Sequence, residues 1–496
     1  MFSRLRSMFA PAAPSRQTAT IRAGYDNAKT TDENRRNWQA VDYFSAKAAN
    51  SYSVRRTLRT RSRHEVANNP FLFGITNSNA DDLIDSGPTL QLLTPNKAYN
   101  RAVEASWRAW CQEVEYAEKL RTCKLAKGVD GEGFLIFKTV KDLAHPVKMY
   151  PCDVEADQVT TPAPANIAEL WIDGLTLHPV TGRPVSYHVL KSHPGDFFFP
   201  DFNPMAVDVI PKRNVIHWFA KFRPGQVRGV PVFTASLDLF AELRAFRRAV
   251  LGAAEIAADY AAVLESEYPA GDDASDAEVV PFQRVPIDRK MMVQLPHGMK
   301  MSQFDAKQPT TSYQMFQEKC IAEACRPLNY PLNLALGTSQ AFNFSSAKLD
   351  HVNYRNGLTV ERAQAGEVVL TPTFREWFAE AVLCDAVKPY EGGGLPPHEW
   401  HWPGFEPLDP VADATADHDR IAHGTLTWRE FWARRGYDWQ DVFAQHAAEK
   451  IAIDKLGLTF GEPVARSITE SVDDATDAPA DQDAAPKKDG EVAHES

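Results

Sequence analysis

Between positions 231 and 267 apolar side chains return every three or four residues, at Leu237, Phe240, Leu243, Phe246, Val250, Ala254, Ala257, Tyr260 and Leu264. That spacing lays one stripe along an amphipathic helix, and no proline interrupts it after Pro231. About 30 residues at about 1.5 Å each make a rod of roughly 45 Å, more than a small core covers. Residues 253–262 are mostly alanine, which lets a neighbouring backbone come close. The rod is therefore expected to need partners along its length, with Ala254, Ala257 and Ala261 on the packing side. Arg244, Arg247, Arg248, Glu255 and Asp259 break every window long enough to span a bilayer, so no membrane partner is expected.

The pattern on either side predicts further elements. Residues 97–126 read as one helix with Val103, Trp107, Trp110, Val114 and Ala117 on a face. Residues 309–326 read as another, with Tyr313, Phe316, Cys320 and Ala324 together and Pro327 and Pro331 as its stop. Ser345 or Ser346 suits the cap of a long helix through Val369, which Pro372 should kink or restart before Phe374, Trp377, Phe378 and Val382. Val54, Leu58 and Val66 are expected to hold a helix to a core, leaving Arg55, Arg56, Arg59, Arg61 and Arg63 facing outward. After Pro70 the positions Phe71, Phe73 and Ile75 alternate, with a short turn or helix at 80–84.

Strand-like runs appear at 134–137, entered through Gly131-Glu132-Gly133, and at 170–172, 185–190, 207–210 and 215–219, with smaller pieces between 279 and 301. Asp173-Gly174 and Thr181-Gly182-Arg183-Pro184 supply turns between them. The first half thus reads as an α+β domain dominated by antiparallel strands. A Pro/Gly/Trp-rich connection at 388–410 leads to short helices at 413–424, 427–435 and 439–455, the second with the capping-box spacing Thr427 to Glu430.

Charge changes the picture at the two ends. The net charge of −11 over 496 residues argues against coating nucleic acid through the whole surface. Yet residues 1–70 hold 13 Lys/Arg against 5 Asp/Glu, so from totals of 54 and 65 the remainder keeps 41 against 60, or −19. From Ser467 onward 9 acidic residues face 2 lysines, a composition expected to be disordered. Residues 1–32, rich in Ala, Pro, Ser and Thr, read as a flexible arm. The six cysteines form no CxxC pair and are expected to be reduced. No 7 to 15 residue apolar core follows the basic start, so retention in the cytoplasm is expected.

The chain offers little catalytic chemistry. His398-Glu399-Trp400-His401 with His423 is the best metal candidate, but it lacks the HExxH arrangement and reads as ordinary surface histidines. No phosphate-binding loop, nucleophile elbow or Cys–base pair is present. Asp81-Asp82, Asp272-Asp273 and Asp473-Asp474 read as solvated loop charge. Neither catalytic residue, cofactor nor metal is expected.

Six features in order carry a resemblance. They are Arg61-Ser62-Arg63 with Asn69-Pro70, Gly131-Glu132-Gly133-Phe134, Arg228-Gly229-Val230-Pro231, Asn343-Phe344-Ser345-Ser346-Ala347, Trp402-Pro403-Gly404 with Asp409-Pro410, and Arg434-Arg435-Gly436-Tyr437-Asp438-Trp439. This succession resembles the lambda-like family of tailed-bacteriophage portal proteins over roughly residues 20–460. The resemblance implies a structural homo-oligomer, usually of twelve subunits, in a ring at one capsid vertex, conducting double-stranded DNA during packaging and ejection.

It also implies an α+β portal fold. Residues 33–230 would be an α/β wing, 235–266 the first stem helix, 267–305 a small clip and 307–326 the second stem helix. A tunnel loop would fill 337–345, a kinked long helix 346–384 and a helical crown 405–460. Expected partners are DNA in the channel, the terminase large subunit, major capsid and scaffolding proteins, and head-completion proteins. Gln340, Asn343 and Lys348 would face the DNA, and Arg55, Arg56, Arg59, Arg61 and Arg63 would offer a basic surface to a neighbour or the shell. The competing readings are a nucleic-acid-processing enzyme with an unrecognised metal site, and a monomeric adaptor.

Overall fold

The computed structural model describes residues 43–161, 171–196, 203, 205–259, 263–266, 299–302, 312–339 and 343–458. The arm at 1–32, the acidic tail, Gln340, Ala261 and most of the segment 267–305, including the strand pieces expected at 279–295, lie outside the described residues. In chain order the elements are α1 (Ala46–Ala49), α2 (Tyr52–Asn68), α3 (Pro70–Ile84), β1 (Thr89–Leu92), α4 (Lys97–Glu113), α5 (Tyr116–Val129), β2 (Glu132–Thr139) and β3 (Met149–Val154). There follow β4 (Trp171–Ile172), β5 (Leu175–Leu177), β6 (Pro184–Leu190), β7 (Val207–Pro211), β8 (Val215–Phe219), α6 (Leu237–Asp259), β9 (Val263–Ser266) and β10 (Met299–Ser302). The remainder are α7 (Ser312–Cys325), α8 (Leu332–Leu336), α9 (Phe344–Ala365), α10 (Thr371–Leu383), β11 (His398–His401), α11 (Pro410–Ala422), α12 (Trp428–Ala433) and α13 (Trp439–Leu456).

The chain divides into two compact units, Met1–Gly436 and Tyr437–Ser496. In the first, two antiparallel sheets, ordered β3-β2-β8 and β4-β5-β6-β7, lie either side of a small core built on Phe134, Leu175, Tyr187 and Val215. A larger core joins α3, α4, α5 and α10, where Trp107 meets Trp110, Phe374 and Trp377 with ring centroids 5.0 to 5.5 Å apart. β1 and β11 form a two-stranded antiparallel clamp, bringing position 89 opposite 401. The second unit contributes α13, capped by the Asp438 side chain and closed by left-handed Gly457.

Several sequence expectations are corrected. Phe71, Phe73 and Ile75 lie on a helix, because Asn69 caps it and Pro70 supplies its fixed φ at the first turn. Asp81 and Asp82 therefore stand on α3, not in a loop. The helix expected over 97–126 is two, broken where Glu115 adopts a left-handed φ of 54°. The rod expected to reach Glu267 ends as helix at Asp259, and residues 263–266 pair as a strand with 299–302. The cap of α9 is Asn343, whose side chain accepts from the Ser345 N–H, so neither serine serves. Between α9 and α10 a five-residue π-helical segment, Gly366–Leu370, absorbs the chain path just before Pro372.

Candidate functional site

Position 132 is where two of the sequence motifs meet. A Cβ on Gly131, which sits at φ +89°, would fall 2.2 Å from the Val230 carbonyl carbon, and one on Gly229 would fall 2.0 Å from the Gly131 oxygen. Only glycine lets these two backbones touch, and the contact lays Arg228 against Glu132. Glu132 is fully buried and binds Arg228 through two bonds, Nε to Oε2 at 2.8 Å and Nη2 to Oε1 at 2.5 Å. Arg59 Nη2 adds a bond at 3.0 Å, His217 Nε2 one at 3.1 Å and the Gly229 N–H one at 3.0 Å. Burial would raise this carboxyl, but the charge of Arg228 and the bonds from His217 and Arg228 hold it well below the ordinary carboxylate range.

His217 lies stacked between Phe134 and Phe219, with ring centroids 4.3 and 4.4 Å away. Burial lowers its pKa to about 4 despite Glu132, so the ring is neutral at pH 7. Nε2 carries the proton toward Glu132, and Nδ1 accepts from the Tyr187 hydroxyl at 3.2 Å.

This hub corrects the outward arginine face. On α2 the buried row is Arg55, Arg59, Ser62 and Glu65, while Val54 is exposed. Arg55 pairs with Asp173 and donates to the Asn50 carbonyl. Arg59 also reaches Asp157 at 2.6 Å. Arg63 grips Asp130 through two bonds of 2.7 Å and touches Asp157 and Glu155 at 2.8 and 3.0 Å. Of the five expected surface arginines only Arg56 and Arg61 are exposed. The partners lie about 70 to 120 positions away in sequence, so spacing on α2 alone did not reveal them; the signal within reach was Glu132 clasped between two glycines.

Glu155, Asp157 and His193 bring possible ligand atoms within 4.8 Å of one another among the described residues. Arg63 already occupies both carboxylates, and His193 Nδ1 accepts from the Gly195 N–H at 3.0 Å. His193 Nε2 stands 3.3 Å from Glu155, and the group is held together by the ion pairs of Arg63. The histidines of 398–401 are also reassigned from surface to packing. His398 sits at 3.2 Å from the Thr371 hydroxyl with its ring against Phe374, and His401 is buried on β11. His423 is exposed at the end of α11.

A second set of surfaces lies on the long helices. The root of α6 is anchored: Phe240 and Leu243 are in the large core, and Arg244 pairs with Glu65 at 2.7 Å. Farther along, Phe246 meets Tyr313 and Phe316 of α7 at 5.7 and 4.9 Å. Even so, apolar side chains of the pair stay exposed, Leu251 at 61%, Met315 at 67% and Phe316 itself at 49%. Ala254 is half-buried; Ala257 lies on α6.

The α9 helix is bolted to the first half at its far end. Tyr354 donates to Asp82 at 2.8 Å, and Glu361 accepts from Lys124 and Lys127 at 2.7 and 2.6 Å. Burial would raise Glu361, but the two lysines hold it down at about 2. Arg362 donates to the carbonyls of Asp82, Leu83 and Pro403. Its other end carries Asn343, exposed, with its oxygen committed to the cap, and half-buried Lys348.

A family model described as phage portal protein, lambda family, matches residues 31–362. A "Probable portal protein" of Halomonas phage phiHAP-1 is 24% identical over 282 residues, covering 56% of this chain and 54% of its own. The chain thus spans about half the length of that curated relative. Among solved structures, a chain of the virion of a native gene transfer agent particle is similar at 14% identity and TM-score 0.41, over 74% of this chain and 90% of that one. One from the neck of the empty particle, computed with C6 symmetry, is similar at 12% identity and TM-score 0.44, over 80% and 92%. No helix among the described residues is long and apolar enough to cross a membrane. The matched span takes in the Glu132 hub, α6, α7 and most of α9, and by it the chain belongs to the lambda family of phage portal proteins.

Proposed function

We propose that copies of this chain form a ring at a capsid vertex, through which double-stranded DNA is packaged and ejected. The observation that carries the reading is the uncovered apolar surface of the α6–α7 pair, which a neighbouring copy of the same pair would bury. In this reading residues 33–230 are the wing, 235–266 and 307–326 the stem, and 267–305 the clip that meets the terminase large subunit and later head-completion proteins. Residues 337–345 line the tunnel, 346–384 form the kinked helix and 405–460 the crown, with capsid and scaffolding proteins around the ring.

A conduit must let DNA slide, and dense Lys/Arg contacts to phosphate would brake it. The acidic balance of −19 beyond residue 70 suits that task. In this reading Gln340, Lys348 and the amide nitrogen of Asn343 would touch the DNA backbone without reading bases. The basic surface shrinks to Arg56 and Arg61, because Arg55, Arg59 and Arg63 are spent inside the wing.

The test is the mass of the purified chain by native mass spectrometry, with negative-stain images of the same sample. Particles of about twelve subunits around a hole are expected. A chain that stays monomeric even with capsid and scaffolding proteins present would overturn the reading. Ala257→Trp should block the rings while leaving a folded monomer, and rings of normal size from that variant would remove α6 from the interface.

A further inference from the structure

An open cavity of about 490 Å³ lies between β1 and the α4–α5 corner. Its floor is apolar, with Leu90, Trp107, Tyr116 and Leu120 buried there. Its rim carries Glu104, Glu115 and Glu118 against Arg108, three carboxylates to one guanidinium, a net of −2. Among the described residues β1 pairs with β11 alone. Because the Leu93 N–H bonds to Pro397, the backbone of the odd positions faces β11, and that of Leu90, which lines the cavity, and of Leu92 faces away from it. Leu92 is already served by side chains, its N–H donating to Glu104 Oε1 at 2.6 Å and its carbonyl accepting from Asn100 Nδ2 at 3.1 Å, so the backbone turned to the cavity is that of Leu90. The result is a short backbone edge at Leu90 beside an apolar pit with an acidic rim, a groove shaped for an extended segment with one apolar side chain between basic ones.

We infer that this groove is the docking site for the N-terminal segment 1–25 of the chain, from the same copy or an adjacent one, with Leu5 in the pit and Arg4 and Arg6 on the rim. Charge selects this occupant. Residues 1–25 carry Arg4, Arg6, Arg16 and Arg22 and no acidic residue, whereas the chain beyond residue 70 is acidic. Pattern selects the register: Arg4-Leu5-Arg6 alternates polar, apolar, polar, as a strand with one buried side chain does. Reach allows it, since the 38 residues from Leu5 to Tyr43 extend to roughly 125 Å at about 3.3 Å each. The acidic rim at the same time turns nucleic acid away.

The experiment uses the full chain with Leu5→Cys and Gln112→Cys, position 112 being an exposed lining residue. Mild oxidation followed by peptide mass spectrometry should find a 5–112 disulfide in clear excess over any bridge from position 5 to the exposed Cys384. Adding Glu115→Lys and Glu118→Lys should lower that yield about fivefold, and Arg4→Glu with Arg6→Glu should restore it. Mobility under denaturation separates a link within one copy from a link between copies. Equal bridging to positions 112 and 384, or a yield indifferent to the charge reversals, overturns the proposal. As a second readout, deleting residues 1–25 should raise the alkylation rate of the cysteine at 112, and an unchanged rate also overturns it.

Discussion

Around Glu132 the donors of Arg228, Arg59, His217 and Gly229 close to within 3.1 Å, and every one comes from the same chain. Along α6 and α7 the chain does the reverse, pairing Phe246 with Tyr313 and Phe316 and then leaving Leu251 and Met315 largely in water. Charge buried in the wing must be answered at once, because an unpaired ion in a core costs several kcal/mol. Apolar surface on a helix can wait for a neighbour, because water tolerates it at about 25 cal/mol per Å². The Glu132 hub is therefore closed by its own chain, whereas α6 and α7 leave apolar side chains exposed.

The sharpest way to break this contrast is Glu132→Ala. It removes the buried carboxylate that Arg228 and Arg59 share, and the monomer should lose about 3–5 kcal/mol by urea unfolding. A midpoint close to that of the parent would mean the hub is no keystone. Next comes pH. His217 has a folded pKa of about 4 against an ordinary value of 6.5. Between those values the unfolded chain binds a proton that the folded chain does not, so stability is lost as pH falls through that window. The full difference is about 3.5 kcal/mol at about 1.4 per unit. Glu132, held low, acts in the same direction below its ordinary 4.5. His217→Gln should flatten the pH 4 to 6.5 slope in monomer unfolding; an unchanged slope would place the titration elsewhere.

Helices α6, α7, α9 and α10 were legible because their periodicity is local, and Pro372 announced the irregularity that became a π segment. The strands at 185–190 and 215–219 were legible for the same reason. The helix α3 was misread although Asn69-Pro70 signalled its start, since three alternating aromatic and aliphatic positions imitated a strand. The orientation of α2 was not legible at all. An arginine on a polar face and an arginine answered by Asp130, Glu132, Asp157 and Asp173 look the same until the fold brings those carboxylates across. What covers the exposed face of α6 and α7 is illegible for a different reason, because periodicity marks an apolar stripe and not its partner.

The stem's side of the comparison sharpens with Leu251→Ser. In the monomer this 61% exposed position should move stability by no more than about 0.5 kcal/mol. In the ring the same change should cost roughly 1–2 kcal/mol per interface, read as a higher subunit concentration for half-assembly by sedimentation. An equal effect on monomer and ring would mean that α6 is covered by its own chain.

The smallest expected effect separates two arginines two residues apart. Arg59 and Arg61 share a helix, a charge and a sequence neighbourhood, yet Arg59 reaches Glu132 and Asp157 while Arg61 is exposed. Arg61→Ala should therefore shift monomer stability by less than about 0.5 kcal/mol, in line with an exposed charge screened by water and salt. If its cost instead approached that of Glu132→Ala, the division of α2 into an inward and an outward row would fail. If it were neutral in the monomer but weakened assembly, the residual basic surface of Arg56 and Arg61 would join the stem as a part of the chain that waits for a neighbour.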